Sequence, residues 1–89
     1  MIFEVNGLFI NTNNISTISA FSKEVVASLH KWVVGISIDG VEYTLYTFDP
    51  SEKEKIDETT RKMRNVVATI INSLVTPVQR LNLEEKTND

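Results

Sequence analysis

The side chains that could do acid–base or metal chemistry are few, and the partners that such chemistry needs are missing. His30 is the single histidine, and the chain has no cysteine. A zinc site of the usual kinds needs several His, Cys or carboxylate ligands, and a histidine acting as general base needs a nucleophile and an orienting group. The sequence contains no such set of metal ligands, and no residue stands out as a nucleophile or an orienting group for His30. We therefore predict a structural or surface His30, no catalytic residue, no metal site and no cofactor.

Acidic side chains are concentrated in residues 52–58. Paired carboxylates do acid–base work when burial separates their pKa values, but here they alternate with lysines and arginines. Three pairs have the i,i+4 spacing of helical ion pairs: Lys53 with Asp57, Asp57 with Arg61, and Glu58 with Lys62. The pattern predicts a solvated, salt-bridged helix face.

One local cluster of basic residues consists of Arg61, Lys62 and Arg64. Three cations on one helix could contact phosphate groups. The whole chain, however, carries a net charge of -3, and no glycine-rich phosphate loop accompanies the cluster. Anion or nucleic-acid contact through these three residues is therefore a disfavoured alternative.

A polar cluster, Asn11-Thr12-Asn13-Asn14, offers side-chain amides to a small polar ligand. Such residues more often form turns by bonding their own backbone. The ligand interpretation stays open as a second class of function, in which an oligomer encloses and sequesters a nucleotide-like molecule held by Asn and Arg side chains.

The length and composition predict one ordinary globular domain. The chain has 89 residues, 42% of them hydrophobic, which is too many for disorder. The N-terminal stretch MIFEVNGLFI lacks the basic region of a signal peptide, and no apolar run approaches membrane-spanning length. We expect a cytoplasmic protein without membrane contact. Its single domain covers residues 1–78, and a short, frayed tail covers residues 79–89.

Two dipeptides, Asn6-Gly7 and Asp39-Gly40, predict β-hairpins with two-residue loops, because Asn, Asp and Gly tolerate the positive φ that such loops require. Each is flanked by alternating apolar residues. The predicted cross-strand pairs are Val5 with Leu8, Glu4 with Phe9 and Phe3 with Ile10 in the first hairpin, and Ile38 with Val41, Ile36 with Tyr43, Val34 with Leu45 and Trp32 with Thr47 in the second.

The path between the hairpins is less regular. We predict a turn at residues 11–14, then a short strand that could contain a bulge. Residues 24–38 then form an extended segment whose apolar parity changes near His30. A strand cannot move its side chains to the other face without an extra residue, so a bulge or a turn is expected near Leu29 to Lys31. Trp32 is predicted to belong to the core.

A long helix is predicted after Asp49. Asp49 suits the N-cap, Pro50 the first helical position, and Glu52 the third position of a capping box. One apolar stripe follows at helical spacing: Ile56, Met63, Val67, Ile70 and Leu74, with Thr60 in its gap. Pro77 is expected to end or kink the helix. The complete pattern predicts an α+β fold: four to five antiparallel strands in two hairpins, followed by one long C-terminal helix packed on the sheet.

Two apolar surfaces are left over by this arrangement. The helix end carries further apolar residues beside the core stripe, and a helix that is apolar all round is normally buried on all sides. On the sheet, Phe9, Tyr46 and Phe48 have the parity opposite to the presumed core, which indicates either an interaction surface or a second covered face. The candidate interface residues are Val66, Ile71, Val75, Val78, Phe9 and Tyr46.

The order of turn and core signals resembles the small bacterial and phage β-meander-plus-helix proteins, of the flagellar FlbD-like or PH-like type. The residues that carry the resemblance are Asn6-Gly7, Ile10-Asn11, Ile15, Ile18, Asp39-Gly40 and Tyr43, followed by the acidic helix start. Residues 22–33 and the long helix depart from that pattern. The resemblance implies a non-catalytic accessory or interaction protein and assigns no functional residue.

The leading functional prediction is a non-enzymatic protein-binding module. It would be a homodimer that also contacts an unidentified protein, as a small phage or bacterial regulator or inhibitor would. The alternatives are the small-ligand binder and the weak nucleic-acid contact described above.

Overall fold

A computed structural model describes residues 1–27 and 29–74 of the chain. The described residues form an antiparallel pair β1-β2, an antiparallel sheet in the order β3-β4-β5, and one long helix α1. The bounds are β1 Ile2–Val5, β2 Leu8–Asn11, a 3-10 turn Thr12–Asn14, β3 Ile18–Val25, β4 Lys31–Ile38, β5 Val41–Phe48 and α1 Lys53–Leu74. This confirms the predicted α+β class. Val75, Pro77, Val78 and the predicted tail lie outside the described residues.

The first hairpin has the predicted register. Val5 pairs with Leu8, and Phe3 with Ile10. The loop residues Asn6 and Gly7 have φ of 47° and 88°, as a two-residue loop with positive φ at both positions requires. Phe3 and Leu8 pack against the core, in which Val5 and Ile10 are buried.

The polar cluster after β2 forms a turn. The Asn11 side-chain oxygen accepts from the Asn13 backbone N–H at 3.1 Å, as predicted for such residues. Thr12 is buried, and both its N–H and its hydroxyl donate to the Met1 carbonyl. The cluster therefore fastens the chain start to the end of the first hairpin.

The predicted extended segment at residues 24–38 is wrong in its first half. β3 already starts at Ile18 and ends at Val25, and the chain turns before β4 starts at Lys31. Val26 and Leu29 are exposed, and the Glu24 carboxylate contacts the His30 ring across this connection. The turn resolves the parity conflict, and it places His30 at the surface as predicted.

The second hairpin departs from the predicted register halfway along. Ile38 pairs with Val41 and Ile36 with Tyr43, but Val34 then pairs with Tyr46 instead of Leu45. A β-bulge at this point inserts Leu45 as an extra residue. The same shift pairs Trp32 with Phe48 instead of Thr47.

Gly35 gives the physical reason for the bulge. A Cβ built on Gly35 would overlap the Tyr43 carbonyl oxygen and lie 2.9 Å from the carbonyl carbon. The backbone of β5 therefore approaches β4 where β4 has no side chain. An isolated glycine inside a strand is a known signal for such a bulge, and the register predicted from alternation alone omits it.

The helix begins later than predicted. Asp49 to Glu52 form a turn closed by the Glu52 N–H donating to the Asp49 carbonyl at 2.9 Å, and α1 starts at Lys53. The Glu52 carboxylate accepts from the Asp49 N–H at 3.1 Å. This bond, and then the neighbouring Lys55 ammonium, lower the pKa of Glu52 below its ordinary value. The Asp49 carboxylate instead contacts Lys31.

The core lies between the three-stranded sheet on one side and the helix and first hairpin on the other. Its buried residues come from all three: Val5, Ile10, Ile18, Val34, Ile36, Ile56, Met63, Val67 and Ile70. The predicted helical stripe is thereby confirmed, with Leu74 half-buried. Thr60 fills the gap in this stripe and is buried. Its hydroxyl donates to the Ile56 carbonyl at 2.7 Å, so the buried polar group has a hydrogen-bond partner. Trp32 packs against this core as predicted.

The opposite face of the sheet has a charged cover. Lys23 on β3 forms an ion pair with Glu42 on β5, and this pair spans the central strand. The Lys23 ammonium also lies 5.7 Å from the centre of the Phe21 ring. A cation over an aromatic face is a favourable contact, so this face carries ionic and cation–π contacts that are compatible with water.

Asp39 fastens the second hairpin to the segment before β3, and we predict a pH dependence from it. Its Oδ1 accepts from the N–H groups of Thr17 at 2.8 Å and Ser16 at 2.9 Å. These two bonds, Thr17 first, lower the pKa of Asp39 below its ordinary value. A lowered pKa stabilises the fold above the unfolded-state value of about 4, and this stabilisation is lost as the pH falls through the folded-state value.

Asp39→Asn should therefore melt below the wild type at pH 7, and this difference should shrink as the pH falls below about 4. Asn keeps the acceptor oxygen and tolerates the φ of 49° at this position, so the remaining difference reports the charge. Thermal unfolding followed by circular dichroism at several pH values measures it. A difference that is constant with pH would show that the Asp39 charge does not act on stability.

Candidate functional site

A groove runs along one side of α1, between the helix and the strands β1 and β5. It consists of two adjoining cavities of about 350 and 510 Å³. Both cavities are lined by Tyr46 and Lys62, so these two side chains lie where the cavities meet. The other lining residues are Phe3, Glu4, Val5, Asn6, Met63, Val66 and Thr69 in the first cavity, and Phe48, Lys55, Glu58 and Thr59 in the second. We call the two cavities together the helix groove.

The aromatic wall of the helix groove is formed by Tyr46 and Phe48. Their rings are stacked, with centroids 6.4 Å apart and planes 12° apart. The alternation of residues along β5 predicts both rings on the outer face of the sheet, and this prediction is wrong. The extra residue Leu45 reverses the parity of the end of β5, so the rings turn toward the helix and pack half-buried against the core.

The loop of the first hairpin holds β5 in this position. The Asn6 side-chain amide donates to the Leu45 carbonyl at 2.7 Å. Leu45 has no partner residue opposite it in the β4–β5 register. Asn6 thus joins the hairpin to the bulge and sets the width of the groove between β1 and β5.

The opposite wall of the helix groove carries two lysines from α1. Lys55 and Lys62 are seven residues apart, which places them two turns apart on the same side of the helix. Lys55 forms a salt bridge with Glu52 at 3.1 Å. Lys62 forms no salt bridge to any described residue, and it lines the same two cavities as Tyr46. The groove therefore combines an aromatic surface with an ammonium group that forms no salt bridge to a described residue.

The predicted ion pairs on the helix do not form. Among the described residues, the salt bridge within the helical region is Lys55 with Glu52, at i,i+3 spacing, and the three predicted i,i+4 pairs are absent. Such exposed pairs contribute only about 0.3–0.5 kcal/mol each, which is too little to hold long side chains in one geometry. The helix face is solvated as predicted, without the predicted bridges.

The structure divides the predicted basic cluster. Lys62 lines the helix groove, whereas Arg61 and Arg64 are exposed and line neither cavity. At 100° per residue, Arg64 lies about 160° around the helix from Lys62. The three cations therefore do not form one continuous surface for a phosphate backbone.

The structure also divides the predicted apolar interface. Val66 lines the helix groove and packs half-buried against the core. Ile71 is 45% exposed and lies on the other flank of the helix. Phe9 is 72% exposed on the outer side of the first hairpin. Val75 and Val78 lie outside the described residues, so the structure brings together Val66, Tyr46 and Lys62 from the predicted sites.

The remaining cavity and the other groups of polar residues are weaker candidates for a functional site. A hollow of about 640 Å³ beside the helix start is lined by residues 51–55 and Asp57 alone, with no second element of the fold. Within residues 1–27 and 29–74, no group of three or more His, Asp or Glu side chains is arranged to hold a metal ion. In the same part of the chain, no helix has both the length and the apolarity to span a bilayer.

Comparison with family models, with curated proteins and with solved structures finds no match to this chain. The resemblance to FlbD-like and PH-like proteins therefore stays a prediction.

Proposed function

We propose that the protein is a non-enzymatic protein-binding module, and that the helix groove binds a segment of a partner protein. The observation that carries the proposal is the presence, in one groove, of the half-buried Tyr46–Phe48 stack and of the Lys62 ammonium, which forms no salt bridge to a described residue. Such a module fits a small regulator or inhibitor that acts by contact. The proposal includes no catalytic step.

The walls of the helix groove define the chemistry of the bound segment. The Tyr46–Phe48 stack offers a broad apolar surface, and aromatic residues are enriched in protein interfaces for this reason. The half-buried Val66 extends the apolar surface toward Phe3. The Lys62 ammonium can form a salt bridge with a carboxylate of the bound segment. The expected partner segment therefore presents an apolar or aromatic side chain to the stack and a Glu or Asp side chain to Lys62.

The dimensions of the groove agree with a peptide segment. The two cavities together follow about four turns of α1, or about 21 Å, because their helical lining residues extend from Lys55 to Thr69. An extended segment of about six residues has a comparable length. The groove is open to solvent along its length, so a partner can enter without movement of the hairpin.

Charge reversal inside and outside the groove tests the proposal. Lys62→Glu should abolish binding of the partner, because it places a carboxylate against the carboxylate of the bound segment. Arg61→Glu is the matched control: the adjacent helical residue is exposed, lines neither cavity and changes the net charge equally. The measurement is retention of nuclease-treated host lysate proteins by each tagged variant, read by mass spectrometry.

The proposal predicts a host protein that the wild type and Arg61→Glu retain and that Lys62→Glu does not. Equal retention by all three variants would place the partner on another surface. Loss in both variants, together with retention by the wild type from untreated lysate but not from nuclease-treated lysate, would favour the nucleic-acid alternative.

A nucleotide-like ligand is the second candidate, and the same wall favours it. A planar base can stack on Tyr46 or Phe48, while Lys62 and Lys55 can contact a phosphate group. Ligands that bind the native state raise its melting temperature by mass action. If a nucleotide mixture raises the melting temperature of the wild type but not of Lys62→Glu, the ligand of the groove is a small molecule and not a peptide segment.

A further inference from the structure

The outer edge of β3 is a second surface, separate from the helix groove. Among residues 1–27 and 29–74, the sheet has the order β3-β4-β5, so β3 has a neighbouring strand on one side, β4. Its eight residues pair with β4 in continuous register, without a bulge and without a proline. A long, regular edge strand presents unpaired backbone groups to solvent and is a template for another strand.

The backbone groups that face outward can be identified. The Asp39 N–H donates to the Thr17 carbonyl at 3.0 Å, which makes the adjacent pair Ile18 with Ile38 a non-hydrogen-bonded pair. Pairs alternate along an antiparallel ladder. The odd-numbered residues of β3 therefore bond to β4, and the even-numbered residues Ile18, Ala20, Ser22 and Glu24 direct their N–H and C=O groups outward.

The opposite edge of the sheet is less suited to pairing. β5 contains the bulge at Leu45, and the Leu45 carbonyl already accepts from Asn6. A bulge interrupts a ladder and twists the strand, which protects an edge. Pairing of the sheet with a further strand is therefore expected at β3.

Exposed side chains around β3 indicate what the further strand is. The flank of α1 that faces away from the groove, and hence toward β3, carries Asp57, Arg64 and the 45% exposed Ile71, which follow one another at seven-residue spacing. Arg64 forms no salt bridge to any described residue. Directly after β3, Val26 is 76% exposed. β3 thus has a free cation beside it, an exposed carboxylate on Glu24 and exposed apolar residues near both ends.

We infer that the β3 edges of two copies of this chain pair antiparallel about a twofold axis at Ser22, which joins two sheets into one of six strands. Residues that lie opposite each other in paired strands have their side chains on the same face of the sheet, so the twofold axis must pass through a residue. The residues near the middle of β3 are 21, 22 and 23, and each defines one register. Centring on Lys23 opposes two like charges, which is destabilising. Centring on Phe21 sets Ile18 against a carboxylate, Glu24.

The register centred on Ser22 matches the charges and the apolar residues. It sets Phe21 opposite Lys23 of the second copy, which extends the cation–π contact already present within one chain. It sets Ala20 opposite Glu24 of the second copy, on the face covered by α1 and beside Arg64. It brings Val26 of the second copy to Ile18, near the helix end that exposes Ile71. About six backbone hydrogen bonds form between the two strands.

Single cysteines test this register cleanly, because the chain has no cysteine. Ser22→Cys places two thiols on the twofold axis, with Cα atoms about 5.5 Å apart, within the range of a disulfide. Ser19→Cys is the matched control on the same strand, since its two copies lie roughly 20 Å apart in this register. Under mild oxidation, Ser22→Cys should form a covalent dimer and Ser19→Cys should not.

Charge exchange is the second arm and uses sedimentation of the full chain. The wild type should sediment as a dimer, Arg64→Glu and Glu24→Arg should each shift it toward monomer, and the double variant should regain the dimer. A wild type that sediments as a monomer at its highest soluble concentration would overturn the inference. Equal crosslinking of Ser19→Cys and Ser22→Cys, or no regain in the double variant, would overturn the register. Binding by the helix groove is unaffected by any of these outcomes.

Discussion

Gly35→Ala is expected to destabilise the protein by at least about 3 kcal/mol, the upper part of the usual range for overpacking. The added methyl group would overlap the carbonyl oxygen of Tyr43, which is backbone and cannot rotate away. β4 and β5 would have to separate at the bulge. A domain of this size has only about 5–10 kcal/mol of stability in total, so the urea midpoint should fall by a large fraction.

Urea unfolding followed by circular dichroism measures this effect. Ser37→Ala is the control. Ser37 lies two residues further along the same strand and on the same face as Gly35, and both variants introduce an alanine. The free energy of unfolding of Ser37→Ala should stay within about 0.5 kcal/mol of the wild-type value. Gly35→Ala should also disturb the helix groove, since the bulge turns Tyr46 toward the helix. A Gly35→Ala variant as stable as Ser37→Ala would contradict the close approach of the two strands.

Ile70→Ala and Ile71→Ala should differ strongly although the two residues are identical and adjacent. Ile70 is fully buried, and its truncation leaves a cavity that costs about 2–5 kcal/mol. Ile71 is 45% exposed, so its truncation should cost less than about 1 kcal/mol. Urea unfolding at a protein concentration low enough to keep the chain monomeric gives both values. Similar losses in the two variants would mean that the helix is rotated relative to this structure.

The elements were predictable where one local signal and one periodicity agreed. Asn6-Gly7 and Asp39-Gly40 specify two-residue loops through their positive φ, and the alternation on each side gives the register next to each loop. The helical stripe from Ile56 to Ile70 is equally local, because 3.6-residue spacing decides which side chains face the sheet.

The candidate site was not predictable by the same reasoning. A bulge depends on how closely two strands approach, and its one local signal was a glycine inside a strand of β-branched residues. Without the bulge, Tyr46 and Phe48 were assigned to the wrong face. The placement of Val66 and Ile71 on different flanks of the helix could have been predicted, because a separation of five residues corresponds to about 140° around a helix. Which flank meets β1 and β5 depends on where the hairpin packs, and this is a tertiary property.

The proposed function requires that the helix groove binds a peptide segment with an apolar side chain next to a carboxylate. Selection of a random peptide library on immobilised wild type, Lys62→Glu and Arg61→Glu proteins measures this preference without knowledge of the partner. We expect enrichment of one class of peptide, with Glu or Asp beside an aromatic or aliphatic residue, on the wild type and on Arg61→Glu but not on Lys62→Glu. Enrichment of the same peptides on Lys62→Glu, of peptides without an acidic residue, or of none at all would contradict it.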